Sequence, residues 1–136
     1  MDWKECFKKG IVKEVKEDTN LIKSLKDTAK IKIKSAEALP DDLFIGKITL
    51  LYDALRELLE SLALENGYKI YNHECYTAFL KEVLELSDKA NRFDKLRKIR
   101  NAINYYGRKV SKEEAEDIIK NMFNLINEIK SMLKED

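Results

Sequence analysis

Arg97, Arg100, Asn101, Asn104 and Tyr105 fall close together in one short segment. Their side chains suit phosphate and nucleotide chemistry. Guanidinium forks match phosphate oxygens, and amides read base edges or sugar hydroxyls. On a helix these five residues form a polar strip beside the apolar face of Phe93, Leu96 and Ile103, with Arg100 at its edge. An arginine on a core edge is costly unless it is paired and hydrogen-bonded. Asn101 and Asn104 are also poor helix formers. Two explanations stay open on the residues alone. Arg100 pairs with an acid on a neighbouring helix, such as Asp53, and sets helix register. Alternatively, the strip is a phosphate or nucleotide site, with Arg97, Arg100, Asn101, Asn104 and Tyr105 binding and Arg100 and Tyr105 as the catalytic candidates. Tyr105 and the adjacent Tyr106 also suit helix-end packing with exposed hydroxyls.

Other chemistry is sparse. His73 is the single histidine, and its place after Asn72 predicts a surface or helix-terminus position. It makes no zinc site with the distant cysteines. Cys6 and Cys75 lack metal or redox spacing and are expected as two separate reduced thiols. The glycines stand alone, so no phosphate loop is present. No metal and no cofactor is expected.

Charge is sorted by segment. The chain of 136 residues carries a formal net charge of only +1, which gives no global nucleic-acid signal. Between Lys89 and Lys109, however, eight basic residues face Asp94 alone, whereas six acids dominate Asp41 to Glu65. The basic segment is the one that carries the polar strip. Lys supplies 21 of the 26 basic residues, and such Lys- and Glu-rich surfaces are common in heat-adapted proteins. No apolar run approaches a membrane span, and the polar opening Met1–Glu5 does not read as a signal peptide. A cytoplasmic, non-membrane protein is expected.

The elements that position the strip are helical. With 4 Gly and 1 Pro, the chain lacks the turns of a sandwich or barrel. A short helix from Asp2 to Lys9 ends at Gly10, and Ile11–Asp18 reads as an extended surface strap. Thr19 or Asn20 caps a helix to Leu39, with Leu21, Leu25, Ala29 and Ile33 four apart. After Pro40, Asp41 and Asp42 open the helix with the strongest stripe, Phe44, Ile48, Leu51, Leu55, Leu58 and Leu62, which ends at Asn66–Gly67. Tyr68–Tyr71 connects it to a helix from His73 to about Leu86. Asp88–Tyr106 carries the strip and ends at Gly107. Ser111 and Glu114 form a capping box for the last helix, with Ala115, Ile118, Met122, Ile126, Ile129 and Leu133 on one face. The expected fold is all-α, an up-and-down helical bundle of four long helices plus one or two short ones. It forms a single domain over 1–136, with a helix and strap in 1–18 and the bundle in 19–136.

The string Arg100-Asn101-Ala102-Ile103-Asn104-Tyr105-Tyr106-Gly107, late in an all-α chain, resembles the HEPN domain. So do Leu51–Leu80 and the closing VSKEEAEDIIKNMFNLINEIK, which look like its archaeal branch. The likeness covers about Asp42 to Leu133 well and the first third loosely. It implies a helical domain that acts as a dimer with two motifs lining one cleft. In many members it also implies metal-independent RNase activity and pairing with a small nucleotidyltransferase. The family motif is Arg, four to six residues, then His. Here the Arg is Arg100 and the polar residue after it is Asn101. The His slots are Tyr105, Tyr106 and Gly107, and none holds His. A phenol is a poor substitute for imidazole near neutral pH. The resemblance therefore implies a HEPN-like module that binds a nucleotide, RNA or a protein partner, without nuclease turnover. The alternative is a divergent metal-independent endoribonuclease in which Tyr105 replaces His.

Overall fold

The computed structural model describes residues 1–135. Its elements, in chain order, are α1 (Trp3–Lys8), β1 (Val12–Glu14), α2 (Thr19–Ala38), α3 (Phe44–Glu65), β2 (Tyr68–Ile70), α4 (His73–Ala78), a π-helical turn (Phe79–Val83), α5 (Ser87–Tyr105) and α6 (Lys112–Met132). The all-α expectation holds. The helices are joined by one two-stranded ribbon, in which β1 runs antiparallel to β2 with Val12 opposite Ile70 and Glu14 opposite Tyr68. The expected surface strap is thus tied down by backbone pairing with the Tyr68–Tyr71 connection. Both segments are too short to show a period-2 pattern of their own.

α3 is the spine. Its apolar stripe is buried as expected from Ile48 to Leu62. Its second half is buried on every side, including Glu57, Glu60 and Ser61, because α2, α6 and β2 all pack against it. The buried polar groups find partners, as their desolvation requires. Glu57 lies 2.6 Å from Lys32 Nζ, and Glu60 accepts from both Arg56 and Lys69. The Ser61 hydroxyl donates to the Glu57 carbonyl at 2.9 Å. On α2 the buried positions are Ile22, Ala29 and Ala36, seven apart, while Leu25 and Ile33 are only half-buried. The two alanines let α2 approach the spine closely.

Several boundaries differ from the sequence expectation. α2 is capped by Asp18, whose carboxylate accepts from Leu21 N–H at 3.0 Å, just ahead of the expected Thr19 or Asn20. Asp41 and Asp42 do not open α3. They lie in a turn closed by Leu43 N–H to Pro40 C=O, and α3 begins at Phe44 with no side-chain cap. Asp41 reaches Lys47 instead, at 3.5 Å. The expected helix from His73 to Leu86 divides into α4 and the π turn. The wider turn keeps Phe79 and Leu80 both fully buried, and the chain then breaks at Glu85, which adopts φ 56°. Ser111 caps α6 as expected, accepting from Glu114 N–H. The Glu114 carboxylate does not complete the capping box; it pairs with Arg108 at 2.6 Å.

Cys6 and Cys75 are not separate thiols. They form a disulfide with a Cα–Cα distance of 6.1 Å across a sequence separation of 69. α1 folds back onto α4 and the π turn, a meeting that local pattern does not encode. Aromatic packing supports the bond: Trp3 lies edge-on to Phe7 and Tyr68 and tilts against Phe79. In the chain-entropy account, closing a loop of this length stabilises the fold by about 4 kcal/mol.

Candidate functional site

α5 buries Ala90, Phe93 and Leu96 and turns its polar strip along the border of that face. The strip does not behave as one unit. Arg97 is engaged by its own helix, with Nη2 2.8 Å and Nε 3.2 Å from Asp94 Oδ1. Lys98 and Thr77 also reach Asp94. Arg97 and Lys98 thus share one carboxylate, and the Arg97 fork is occupied within its own helix.

Arg100 is held differently. Its guanidinium carbon lies 4.9 Å from the centroid of the Tyr52 ring and 5.4 Å from that of Tyr105, so two aromatic faces flank it. Nη1 donates to Tyr105 Oη at 3.2 Å and, more weakly, to Asn101 Oδ1 at 3.4 Å. Nε is buried without a hydrogen-bond partner. Among the described residues no carboxylate pairs with Arg100, Asp53 included. A guanidinium with neutral neighbours and an orphaned N–H retains its capacity for an anion.

The floor beneath Arg100 is Tyr52, fully buried on α3 and stacked on Phe93 with centroids 6.1 Å apart. Its hydroxyl meets His73 Nδ1 at 2.9 Å. His73 opens α4, where Asn72 caps by accepting from Glu74 N–H at 2.7 Å. The histidine is thus at a helix terminus, as expected, but it is half-buried against Tyr52 and Tyr76. Arg100 and His73 touch the same tyrosine. Tyr105 is mostly exposed (67%), as is Tyr106 (83%), and Asn104 also faces solvent. The structure therefore brings Arg100, Asn101 and Tyr105 together, adds Tyr52 and His73, ties Arg97 to Asp94, and leaves Asn104 outside the contacts of the guanidinium.

Titration follows this arrangement. Burial pushes the Tyr52 hydroxyl up to about 12, against the opposing pull of Arg100, Arg97 and Arg56. Burial also lowers His73 below its ordinary 6.5, helped by Arg56, Arg100 and Arg97 and opposed by Asp53. The imidazole is accordingly neutral in the folded protein near neutral pH. Between the lowered folded value and the ordinary one, the unfolded chain binds more protons, so stability rises with pH there. The His73 contribution is complete above pH 6.5 and is lost as the pH falls through the folded value. Urea melts across that window should show His73→Gln abolishing this component of the pH slope; an unchanged slope contradicts the assignment.

No family model, curated protein or solved structure matches the chain. The site must therefore be read from its own chemistry. Among the described residues no cluster of His, Cys, Asp and Glu could hold a metal ion, and no helix is long and apolar enough to cross a membrane.

Sequence reasoning did not find Tyr52 or assign His73 to the site. Tyr52 sits one residue off the Leu51–Leu55 stripe and carries no motif. The one local signal for His73 was Asn72, which fixes it at the first turn of α4.

Proposed function

We propose that the chain is a HEPN-like module that binds a nucleotide or RNA through phosphate, with Arg100 as the anion seat. The observation that carries the reading is the state of Arg100. It lies between the Tyr52 and Tyr105 rings, lacks a carboxylate partner, and keeps a buried Nε without an acceptor. A phosphate oxygen meets the guanidinium at its terminal Nη groups, where the partners Tyr105 and Asn101 are neutral. Asn101 beside it offers an amide, and the exposed Tyr105 ring offers a stacking face for a base. Arg97 and Asn104 flank the seat and contribute less. The helical spacing and short connections support an up-and-down arrangement of α2, α3, α5 and α6, and the resemblance adds a homodimer and a small nucleotidyltransferase as protein partner. Fluorescence anisotropy of a labelled single-stranded RNA tests the reading. The wild-type chain is expected to bind and Arg100→Ala to bind far more weakly. Equal signals from both proteins contradict it.

A second reading has its own support in His73. The family motif position for His holds Tyr105, yet an imidazole from α4 reaches the same tyrosine floor as Arg100. When Nδ1–H donates to the Tyr52 oxygen, Nε2 carries a free lone pair. It can take the proton of an RNA 2′-hydroxyl while the 2′-oxygen bonds to phosphorus and the 5′-oxygen departs, taking a proton from solvent. Arg100 would stabilise the charge on the phosphoryl oxygens. In this reading His73, not Tyr105, is the acid–base group. It predicts RNA cleavage in the presence of EDTA, reduced about a hundredfold or more in His73→Ala and little changed in Tyr105→Phe. Intact RNA after prolonged incubation with wild type leaves the binding module alone.

A further inference from the structure

Cys6 and Cys75 are both fully buried. Their bond joins α1 to α4, and α4 begins with His73 two residues before Cys75. His73 in turn bonds Tyr52, and Tyr52 carries Arg100 on its ring. A continuous run of contacts therefore leads from the disulfide to the anion seat. At its other end the disulfide holds a short element. α1 has six residues, and Gly10 follows it at φ 71° in open space. Beyond the bond, the α1 segment is held by Trp3 against Tyr68 and Phe79, by Phe7 against Tyr68, by Trp3 N–H donating to Glu82 at 2.7 Å, and by the Met1 amino group paired with Glu74 at 3.0 Å. None of these contacts is made with α3, so α1 can lift about Gly10 without breaking the α3 core.

We propose that the Cys6–Cys75 disulfide is a redox clamp on the Arg100 site. In the oxidised chain it pins α1 to α4 and keeps His73 on Tyr52. Both sulfurs are covered while α1 is seated, so a dithiol reductant opens the bond when α1 lifts transiently and uncovers it. One dithiol thiolate attacks a cysteine sulfur, the Cys6–Cys75 bond breaks, and a mixed disulfide forms. The second thiolate of the reductant then displaces the remaining protein sulfur and closes the oxidised, cyclic reductant. Two electrons pass to the protein, and both cysteines leave as thiols carrying the protons. α1 then loses its covalent anchor, the α4 N-terminus gains freedom, and the Tyr52 floor under Arg100 loosens. The proposal rests on the reading of Arg100 as an anion seat, and its test separates the two.

The experiment compares the air-oxidised and dithiothreitol-reduced full chain, with the Cys6→Ser/Cys75→Ser double variant beside them. Affinity for labelled single-stranded RNA and the NMR titration of the His73 ring protons are both read. Reduction is expected to weaken RNA binding roughly fivefold or more. It also moves the His73 titration back toward the ordinary 6.5. The double variant should match the reduced protein and ignore dithiothreitol. Equal RNA affinity in both redox states, with Arg100→Ala still weakening it, overturns the clamp and leaves the anion seat standing. If no form binds RNA, the functional reading fails and the His73 titration decides the clamp: a redox-dependent shift supports it, and an identical curve overturns it. A reduced chain that has lost its helical circular dichroism also overturns it, making the bond a structural staple. Should the double variant fail to fold, chemical reduction of the wild type decides by the same readings.

Discussion

Arg100→Ala is expected to weaken RNA binding by tenfold to a hundredfold while lowering stability by only about 1–2 kcal/mol. The first part follows from the strength of charge-assisted hydrogen bonds, about 1.5–3 kcal/mol each, where about 1.4 kcal/mol is a factor of ten. The second follows from what the side chain touches. No ion pair is broken, since Arg100 makes none among the described residues, and its ring contacts are worth about 0.5–1 kcal/mol each at a part-exposed site. Arg100→Lys separates charge from geometry. Lysine keeps the positive charge but loses the planar fork and the stacking on Tyr52 and Tyr105, so it recovers only a minor part of the affinity. Arg97→Ala is the internal control. Its guanidinium is bound to Asp94, so its loss weakens RNA binding much less. A purely structural Arg100 gives the opposite pattern: a large fall in the urea midpoint and unchanged binding.

Tyr52→Ala should be the more damaging substitution for the fold, lowering stability by about 3–5 kcal/mol, the usual loss for removing a fully buried aromatic side chain. Tyr52 is 0% exposed and stacks on Phe93 at the point where α3 meets α5. Its removal leaves a cavity in the core, takes the ring from beneath Arg100, and frees His73. Tyr52→Phe keeps the ring and deletes only the hydroxyl. That variant is expected to lose about 0.5–1.5 kcal/mol, the net value of one hydrogen bond. It should weaken RNA binding by no more than reduction of the disulfide does, and change the His73 titration, which loses its Nδ1 partner. Urea melts and the His73 ring-proton titration on the two variants check this. Equal destabilisation by Ala and Phe contradicts a packing role for the ring, and an unaltered His73 curve in Tyr52→Phe contradicts the contact.

How much of this was legible beforehand depended on distance along the chain. The α3 stripe from Ile48 to Leu62 and the α6 face from Ala115 to Ile129 were readable because helical spacing repeats over many turns. Ser111 announced α6 through a contact three residues away. Arg100 stood out because a charged residue on a core edge breaks the pattern around it. The partners of Arg100 were another matter. Tyr52 comes from another helix, and His73 joins it across 21 residues. Cys6 and Cys75 meet across 69. No periodicity links such pairs; only tertiary packing brings them together. The same holds for β1 and β2, whose pairing fixes a strap that looked loose in sequence. The division of the His73–Leu86 segment at Phe79 carries no local sequence signal, since it accompanies the burial of Phe79 and Leu80 by tertiary packing.

The most direct test of Arg100 as the anion seat is the Nε–H resonance of Arg100 itself, followed in nitrogen–proton NMR spectra while single-stranded RNA is added to the oxidised chain. The buried Nε has no acceptor in the free protein. A phosphate bound at the neighbouring Nη groups repolarises the same guanidinium and should move this signal, and the change should saturate with the same affinity that anisotropy gives. An Arg100 Nε–H signal that stays fixed while lysine or other arginine signals shift would contradict the account and place the RNA elsewhere on the surface.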